Sequence, residues 1–305
     1  MSPPIVWHPQ YIAPLRTGHP FPMSKYGYLR RALEDRGLMP PGGWIAPAPL
    51  GPRQIALAHD LSYVERVLSG ALALEETRRI GLPATEAVAL RARLSNAGTL
   101  LAARFALDQG LALNAAGGSH HAGPDYGAGY CVFNDVAVAA SALLAEGLVR
   151  RVLVVDCDVH QGDGTARIFA EDPRVFTFSI HAAKNFPARK AVSDLDLALP
   201  DGLRDADYLA ALDDGLAEAM ARAEADIAFY NAGVDPWEGD RLGRLSLSLD
   251  GLRRRDRRVL ETLRRAGLPV AAALGGGYSK DPQELAARHA ILFEEAAALT
   301  STGVG

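Results

Sequence analysis

Short apolar runs alternate along this chain with longer stretches whose apolar positions recur every three or four residues. The runs Ile5–His8, Ile55–His59, Leu111–Ala116, Arg151–Val159, Val175–Ile180, Asp226–Asn231 and Pro269–Leu274 read as buried strands. The helical periods cover Ser24–Asp35, Tyr63–Ser69, Thr85–Gln109, Asn134–Glu146, Tyr208–Ala223, Asp250–Ala266 and Pro282–Ala298. Asn134 and Asp250 stand where N-caps belong, and Gly147 and Gly267 where helices stop. Strand–helix alternation predicts an α/β fold, a mostly parallel open sheet with helices on both faces. Loops rich in proline or glycine fall at Met39–Pro52, His121–Tyr130 and Ala183–Pro200. None is long enough for a flexible interdomain linker, and there is no internal repeat. One domain over residues 1–305 is expected.

Composition narrows the class without naming it. The chain has 305 residues, 49% of them apolar, and a net charge of −4. That is enough for one large core. No basic patch offers a footprint for nucleic acid. The arginine-rich run Leu252–Arg258 reads as a solvated helix face. The two cysteines, Cys131 and Cys157, fit packed thiols in a reducing compartment better than a disulfide framework. Met1-Ser2-Pro3-Pro4 opens no leader pattern, and no run of 18 uninterrupted apolar residues occurs, so a cytoplasmic protein without a membrane span is expected.

Chemistry enters at the ends of the runs. Asp156-Cys157-Asp158-Val159-His160 closes an apolar strand and leads into the glycine turn Gln161-Gly162-Asp163-Gly164. Alternation along a strand would point Asp156, Asp158 and His160 the same way. Carboxylate and imidazole together are the donors of a catalytic zinc-type site. Similar clusters follow other strands: His120-His121 after Gly117-Gly118, Asp235 after Tyr230-Asn231-Ala232-Gly233, and Tyr278 after Gly275-Gly276-Gly277. Taken singly, each has a plain explanation: an incidental histidine pair, an Asp-Pro turn, a tyrosine lid on the core. Four such clusters in one chain favour a shared site at the carboxyl ends of a parallel sheet. A divalent ion on Asp158, His160 and Asp235 would leave positions open for water and a carbonyl. His120 and His121 are candidates for proton transfer, and Asp156 and Asp163 for their partners. The Tyr278 hydroxyl would bind a developing oxyanion, a role worth roughly 3–4 kcal/mol.

These segments carry a resemblance. Gly117–Ala122, Gly127–Asp135, Val155–Thr165 and Gly275–Tyr278 resemble the histone deacetylase family, in the family's order. Tyr230–Gly243 and His19–Tyr26 are most similar to its class IV branch and bacterial relatives. The resemblance spans about residues 5 to 295 and implies the arginase/deacetylase fold and a zinc-dependent amidohydrolase with one Zn²⁺ per chain. It implies Asp158, His160 and Asp235 as metal ligands, His120 paired with Asp156, and His121 paired with Asp163 as general base and acid. It further implies Tyr278 as carbonyl polariser and a substrate tunnel formed by Gly129, Tyr130, Phe186, Leu242 and Gly276. A structural K⁺ or Na⁺ is implied on backbone oxygens of Asp156, Asp158, His160 and Ile180 and the Ser179 hydroxyl.

Three departures bear on the substrate. Tyr130 stands where the family usually has phenylalanine, which makes the tunnel more polar. The rim acid of peptide-directed members aligns with Leu61, one step from Asp60. Leu242 replaces the gatekeeper glutamate of polyamine-directed members. The expected substrate is an acylated lysine, acetyl or longer fatty acyl, with a small acyl-amine such as an acetylpolyamine as the alternative. A two-manganese arginase-like enzyme and a silent binding module remain as rivals. The first needs more ligands than are visible, and the second needs a missing group. Oligomeric state is not written in these motifs.

Overall fold

The computed structural model describes residues 3–40 and 42–301. Met1 and Ser2, one proline of the 39–52 loop, and residues 302–305 lie outside them. The strands are β1 (Ile5–Val6), β2 (Leu111–Asn114), β3 (Val152–Asp156), β4 (Val175–Ala182), β5 (Leu195–Leu199), β6 (Ile227–Ala232) and β7 (Val270–Leu274). They form one seven-stranded sheet in the order β1-β2-β7-β6-β3-β4-β5, and every neighbouring pair is parallel. The helices are α1 (Lys25–Asp35), α2 (Pro52–Ile55), α3 (Leu61–Leu68), α4 (Leu74–Ile80), α5 (Glu86–Gln109), α6 (Asp135–Ala145), α7 (Asp163–Ile168), α8 (Asp205–Ala223), α9 (Leu249–Arg265) and α10 (Pro282–Ser301). They cover both faces, with α5 packed on β2 and β7, α8 on β3 and β4, and α9 on β6 and β7. β2, β3, β6 and β7 are buried along their whole length, which is why they read as continuous apolar runs.

The expected fold class holds, and the sheet is wholly parallel. Several local expectations do not hold. Ile55–His59 is no strand: α2 ends there, and the amides of Ala58 and His59 both donate to the Ile55 carbonyl. Pro52 presets the helical φ at the first turn, and Ile55 and Ala58 bury one side at helical spacing. The loop 183–200 contains the edge strand β5, whose Leu195, Leu197 and Leu199 alternate with polar or small residues. The N-cap of α9 is Ser248, whose hydroxyl accepts from the Gly251 amide at 2.9 Å, while Asp250 lies in the first turn. Asn134 does cap α6, through the Ala137 amide at 3.0 Å. The arginine run of α9 is not uniformly solvated either, because Arg255 is fully buried.

Candidate active site

Strand β3 stops at Asp156, so Asp158 and His160 are not strand residues as the alternation implied. The chain turns instead, fastened by the amides of Asp158 to Asp156 Oδ1 (3.1 Å) and of His160 to Asp158 Oδ1 (2.9 Å). Asp158 and His160 thereby meet Asp235, which arrives from beyond β6. Their ligand-type atoms lie within 4.8 Å of one another, and all three residues are buried. His160 Nδ1 is 2.9 Å from Asp158 Oδ1 and 3.2 Å from Asp235 Oδ2. Despite the second contact, Asp235 Oδ2 is buried without a hydrogen-bond partner.

That arrangement fits a cation. Burial and then the neighbouring Asp158 push the Asp235 carboxyl up to about 7. Burial opposes ionisation of Asp158 too, but His120 and His160 outweigh it and hold that carboxyl well below its usual range. Two buried carboxylates, an imidazole and an orphaned oxygen make a donor set suited to a divalent ion. The glycines opposite leave the room. A Cβ at Gly276 would collide with Asp235 Oδ2, and one at Gly233 with Asp158 Oδ2. The Gly276 amide donates to Asp158 Oδ2 at 2.5 Å.

The histidine pair comes from the β2 side. Gly117 and Gly118 take φ of +90° and +73°, and a Cβ at Gly118 would strike the Leu274 carbonyl. Asp135, in the first turn of α6, accepts from the amides of Gly118 (3.2 Å) and Ser119 (2.7 Å). Asn134 donates to the Ala122 carbonyl at 3.2 Å. So held, His120 Nδ1 reaches Asp156 Oδ2 at 2.6 Å and His121 Nδ1 reaches Asp163 Oδ1 at 2.7 Å. Each carboxylate fixes a tautomer and leaves Nε2 unbound by it. The two rings stand 4.1 Å apart. Burial would lower His120, but Asp156 and Asp158 raise it to about 9. Burial and the His120 charge lower His121 to about 4. The two histidines are thus pushed in opposite directions by their surroundings.

Tyr278, Gly129, Tyr130 and Gly276 join the histidines around one cavity of about 30 Å³, room for about two waters. The Tyr278 ring lies edge-on to His160 at 6.4 Å, and Tyr130 lies 5.9 Å from Tyr278 and 5.1 Å from Phe21. Phe186 and Leu242 are not among the cavity's lining. Phe186 sits edge-on to His121 at 4.8 Å and is half-exposed. Leu242 is also half-exposed, and its carbonyl accepts from Asn185 beside Phe186 at 2.7 Å. Ser179, paired with Asp156 across the sheet, has its hydroxyl 3.0 Å from His181 Nδ1. Both cysteines are free and buried, and burial raises both thiols, Cys157 to about 12.

Other residues of the site were passed over in the sequence. Asn231 donates to Asp156 Oδ1 at 2.8 Å and so orients the partner of His120. A lone amide at the end of an apolar run was its only signal. Asp240 accepts from the Tyr278 amide at 2.7 Å and from Leu242 at 2.8 Å, which places the tyrosine. Lys25 and Arg91 reach the cavity from α1 and α5, almost fully buried, with Lys25 Nζ 3.2 Å from the Gly275 carbonyl. Nothing local marks them, since a cation on a helix normally reads as surface.

A parallel sheet with buried carboxylates, histidines and a tyrosine at its carboxyl edge defines a hydrolase-type site with the donors for a metal. The histone deacetylase domain matches residues 19–293, and the chain belongs to the histone deacetylase family. It is 46% identical over 296 residues to an uncharacterized protein of Picosynechococcus sp., covering 97% of this chain and 99% of that one. It is 29% identical over 272 residues to histone deacetylase 2 of Arabidopsis thaliana, covering 86% and 70%. With histone deacetylase 1 of Homo sapiens it shares 31% over 180 residues, 55% of this chain and 36% of the human one. The crystal structure of the HDA15 HD domain has a similar fold, with a TM-score of 0.83 at 21% identity over 98% of this chain and 90% of that one.

Proposed function

We propose that this chain is a single catalytic domain, with a core over residues 5–295, that hydrolyses acyl groups from lysine side chains with one zinc ion. The observation that carries the reading is the convergence of Asp158, His160 and Asp235 beside two carboxylate-bound histidines and Tyr278 on one cavity. Bound by the three ligands, zinc supplies Lewis acidity that polarises a carbonyl and makes a water more acidic. His121 accepts the water's proton at Nε2 and returns it to the leaving amine, while Asp163 holds Nδ1–H. His120, bonded to Asp156 at Nδ1, stabilises negative charge in the cavity when its ring is protonated. The Tyr278 hydroxyl donates to the oxygen of the acyl group.

The acyl group, acetyl or longer fatty acyl, enters the cavity lined by Gly129, Tyr130, Gly276 and Tyr278. Phe186 and Leu242 form the outer rim on this reading, and the absence of an acid at Leu242 disfavours polyamines. A K⁺ or Na⁺ is proposed on the backbone oxygens of Asp156, Asp158, His160 and Ile180 and the Ser179 hydroxyl. The free buried thiols support a cytoplasmic setting. The segments 19–26 and 230–243 favour the class IV branch and its bacterial relatives.

Metal content tests the ligand set. Asp158→Ala or Asp235→Ala is expected to remove most bound zinc and nearly all turnover, and stoichiometric zinc in both variants would defeat the assignment. Acetyl-lysine, myristoyl-lysine and acetylpolyamine substrates, compared by kcat/KM, decide the acyl group and the amine.

A further inference from the structure

One arginine of the α9 run faces inward and reaches the metal loops. Arg255 is among the largest fully buried side chains of the molecule. Its Nη1 donates to the carbonyl of Cys157 at 3.2 Å and to that of Gly233 at 2.5 Å. Cys157 immediately precedes Asp158, and Gly233 stands two residues before Asp235. Its Nε and Nη2 donate to Asp256 Oδ1 at 3.0 and 2.8 Å. The Tyr230 hydroxyl donates to that same oxygen at 2.5 Å. A single guanidinium therefore spans the turn beyond β3 and the turn beyond β6.

We propose that Arg255 is a positioning residue for the metal centre, tying the 157–160 and 233–235 turns together so that Asp158, His160 and Asp235 converge. The inference rests on the metal-dependent reading above. Its physical basis is the repulsion between Asp158 and Asp235, two buried carboxylates that would move apart if their turns were free. Direct ties between the turns are few. The Val159 amide donates to Asp235 Oδ1 at 2.9 Å, His160 Nδ1 lies 3.2 Å from Asp235 Oδ2, and the Cys157 amide donates at 3.0 Å to the carbonyl of Asn231, still within β6. Arg255 adds one donor group bonded to both backbones, and Asp256 fixes its plane. Guanidinium is the side chain for this, because its rigid fork donates in several directions at once, whereas an ammonium on a flexible stem does not reproduce that geometry. Asp256 also balances the charge, so the pair acts through geometry and not as a net cation beside the ion.

The test is zinc affinity of the metal-free protein, measured by chelator competition, beside the melting temperature of the same metal-free samples. The double variant Arg255→Met with Asp256→Asn removes both charges together and leaves no unpaired ion in the core. Its zinc affinity is expected to fall about 10–100-fold, the range for groups that orient metal ligands. A merely structural role lowers the melting temperature and leaves the affinity of the folded protein unchanged. Arg255→Lys keeps the charge opposite Asp256 and serves if the double variant does not fold, with weakened zinc binding again expected. Wild-type affinity in a folded variant overturns the inference alone. A wild-type protein that takes up no zinc overturns the metal reading and this inference with it.

Discussion

Tyr278 and His121 make the sharpest claims, because each rests on a few atoms. Tyr278→Phe removes one hydroxyl and leaves the ring against His160 and Tyr130. If that hydroxyl binds the oxyanion, kcat falls roughly 10²–10³-fold, with zinc content and melting temperature unchanged. Packing alone would give the reverse, a less stable protein with intact turnover, so single-turnover rates beside thermal melts decide between them. The histidines differ in kind. His121 is the neutral member, lowered by burial and by the charge on His120. His121→Ala is therefore expected to cost roughly 10²–10⁴-fold in kcat, the range for general acid–base help, and more than His120→Ala. Near-wild-type turnover in His121→Ala would move the proton-transfer role elsewhere.

His59 shows how one element places another. It follows α2, is buried, and lies 2.8 Å from the Gly123 carbonyl at Nδ1. A carbonyl only accepts, so Nδ1 carries the proton. Nε2 in turn accepts from the Asn134 amide at 2.9 Å, at the cap of α6. The neutral ring thus joins the loop after His120 and His121 to the helix that shapes it. Burial lowers this histidine to about 4. The unfolded chain, with its histidine near 6.5, takes up the proton first, so stability present above pH 6.5 drains away as pH falls toward 4. The shift corresponds to about 3 kcal/mol. His59→Gln is expected to flatten the acid limb of stability between pH 6.5 and 4, measured by urea denaturation at several pH values. Equal pH slopes for variant and wild type would remove His59 from this role.

Across the whole molecule, the site depends on four strands ending together. His120 and His121 follow β2, Asp158 and His160 follow β3, Asp235 follows β6 and Tyr278 follows β7, and these strands are neighbours in the order β2-β7-β6-β3. If zinc binds this assembled edge and not the unfolded chain, as proposed, it stabilises the folded state. At a hundredfold excess over Kd the gain is about 2.7 kcal/mol, which for a chain of this size raises Tm by about 4 °C. Chelation is expected to reverse the rise, and a Tm indifferent to zinc would argue against a ligand set formed by the fold.

The alternation of apolar runs and helical periods already determined the α/β class, the parallel sheet and most helix spans. Those properties are written in neighbouring residues, since fully buried strands need continuous apolar runs. Short motifs also marked the chemistry: histidines, carboxylates and a tyrosine each lay beside glycines at a strand end. The strand-end clusters already offered Asp158, His160 and Asp235 as a metal triad, while the pairing of His120 with Asp156 and His121 with Asp163 came from family resemblance, and the structure places those pairs at hydrogen-bond distance. What only the tertiary structure decided involves partners far apart in the chain. Asp158 and His160 point at Asp235 because β3 ends and the backbone turns, not because a strand alternates. Ile55–His59 is apolar enough for a strand, yet Pro52 and the packing of Ile55 and Ala58 make it the end of a helix. Arg255 sits in a run that reads as solvated, and its burial follows from two carbonyls and a carboxylate that become its neighbours only once α9 packs beneath the sheet's edge. A local pattern reports the average environment of a face. It does not report the one position on that face where distant polar groups satisfy a buried charge.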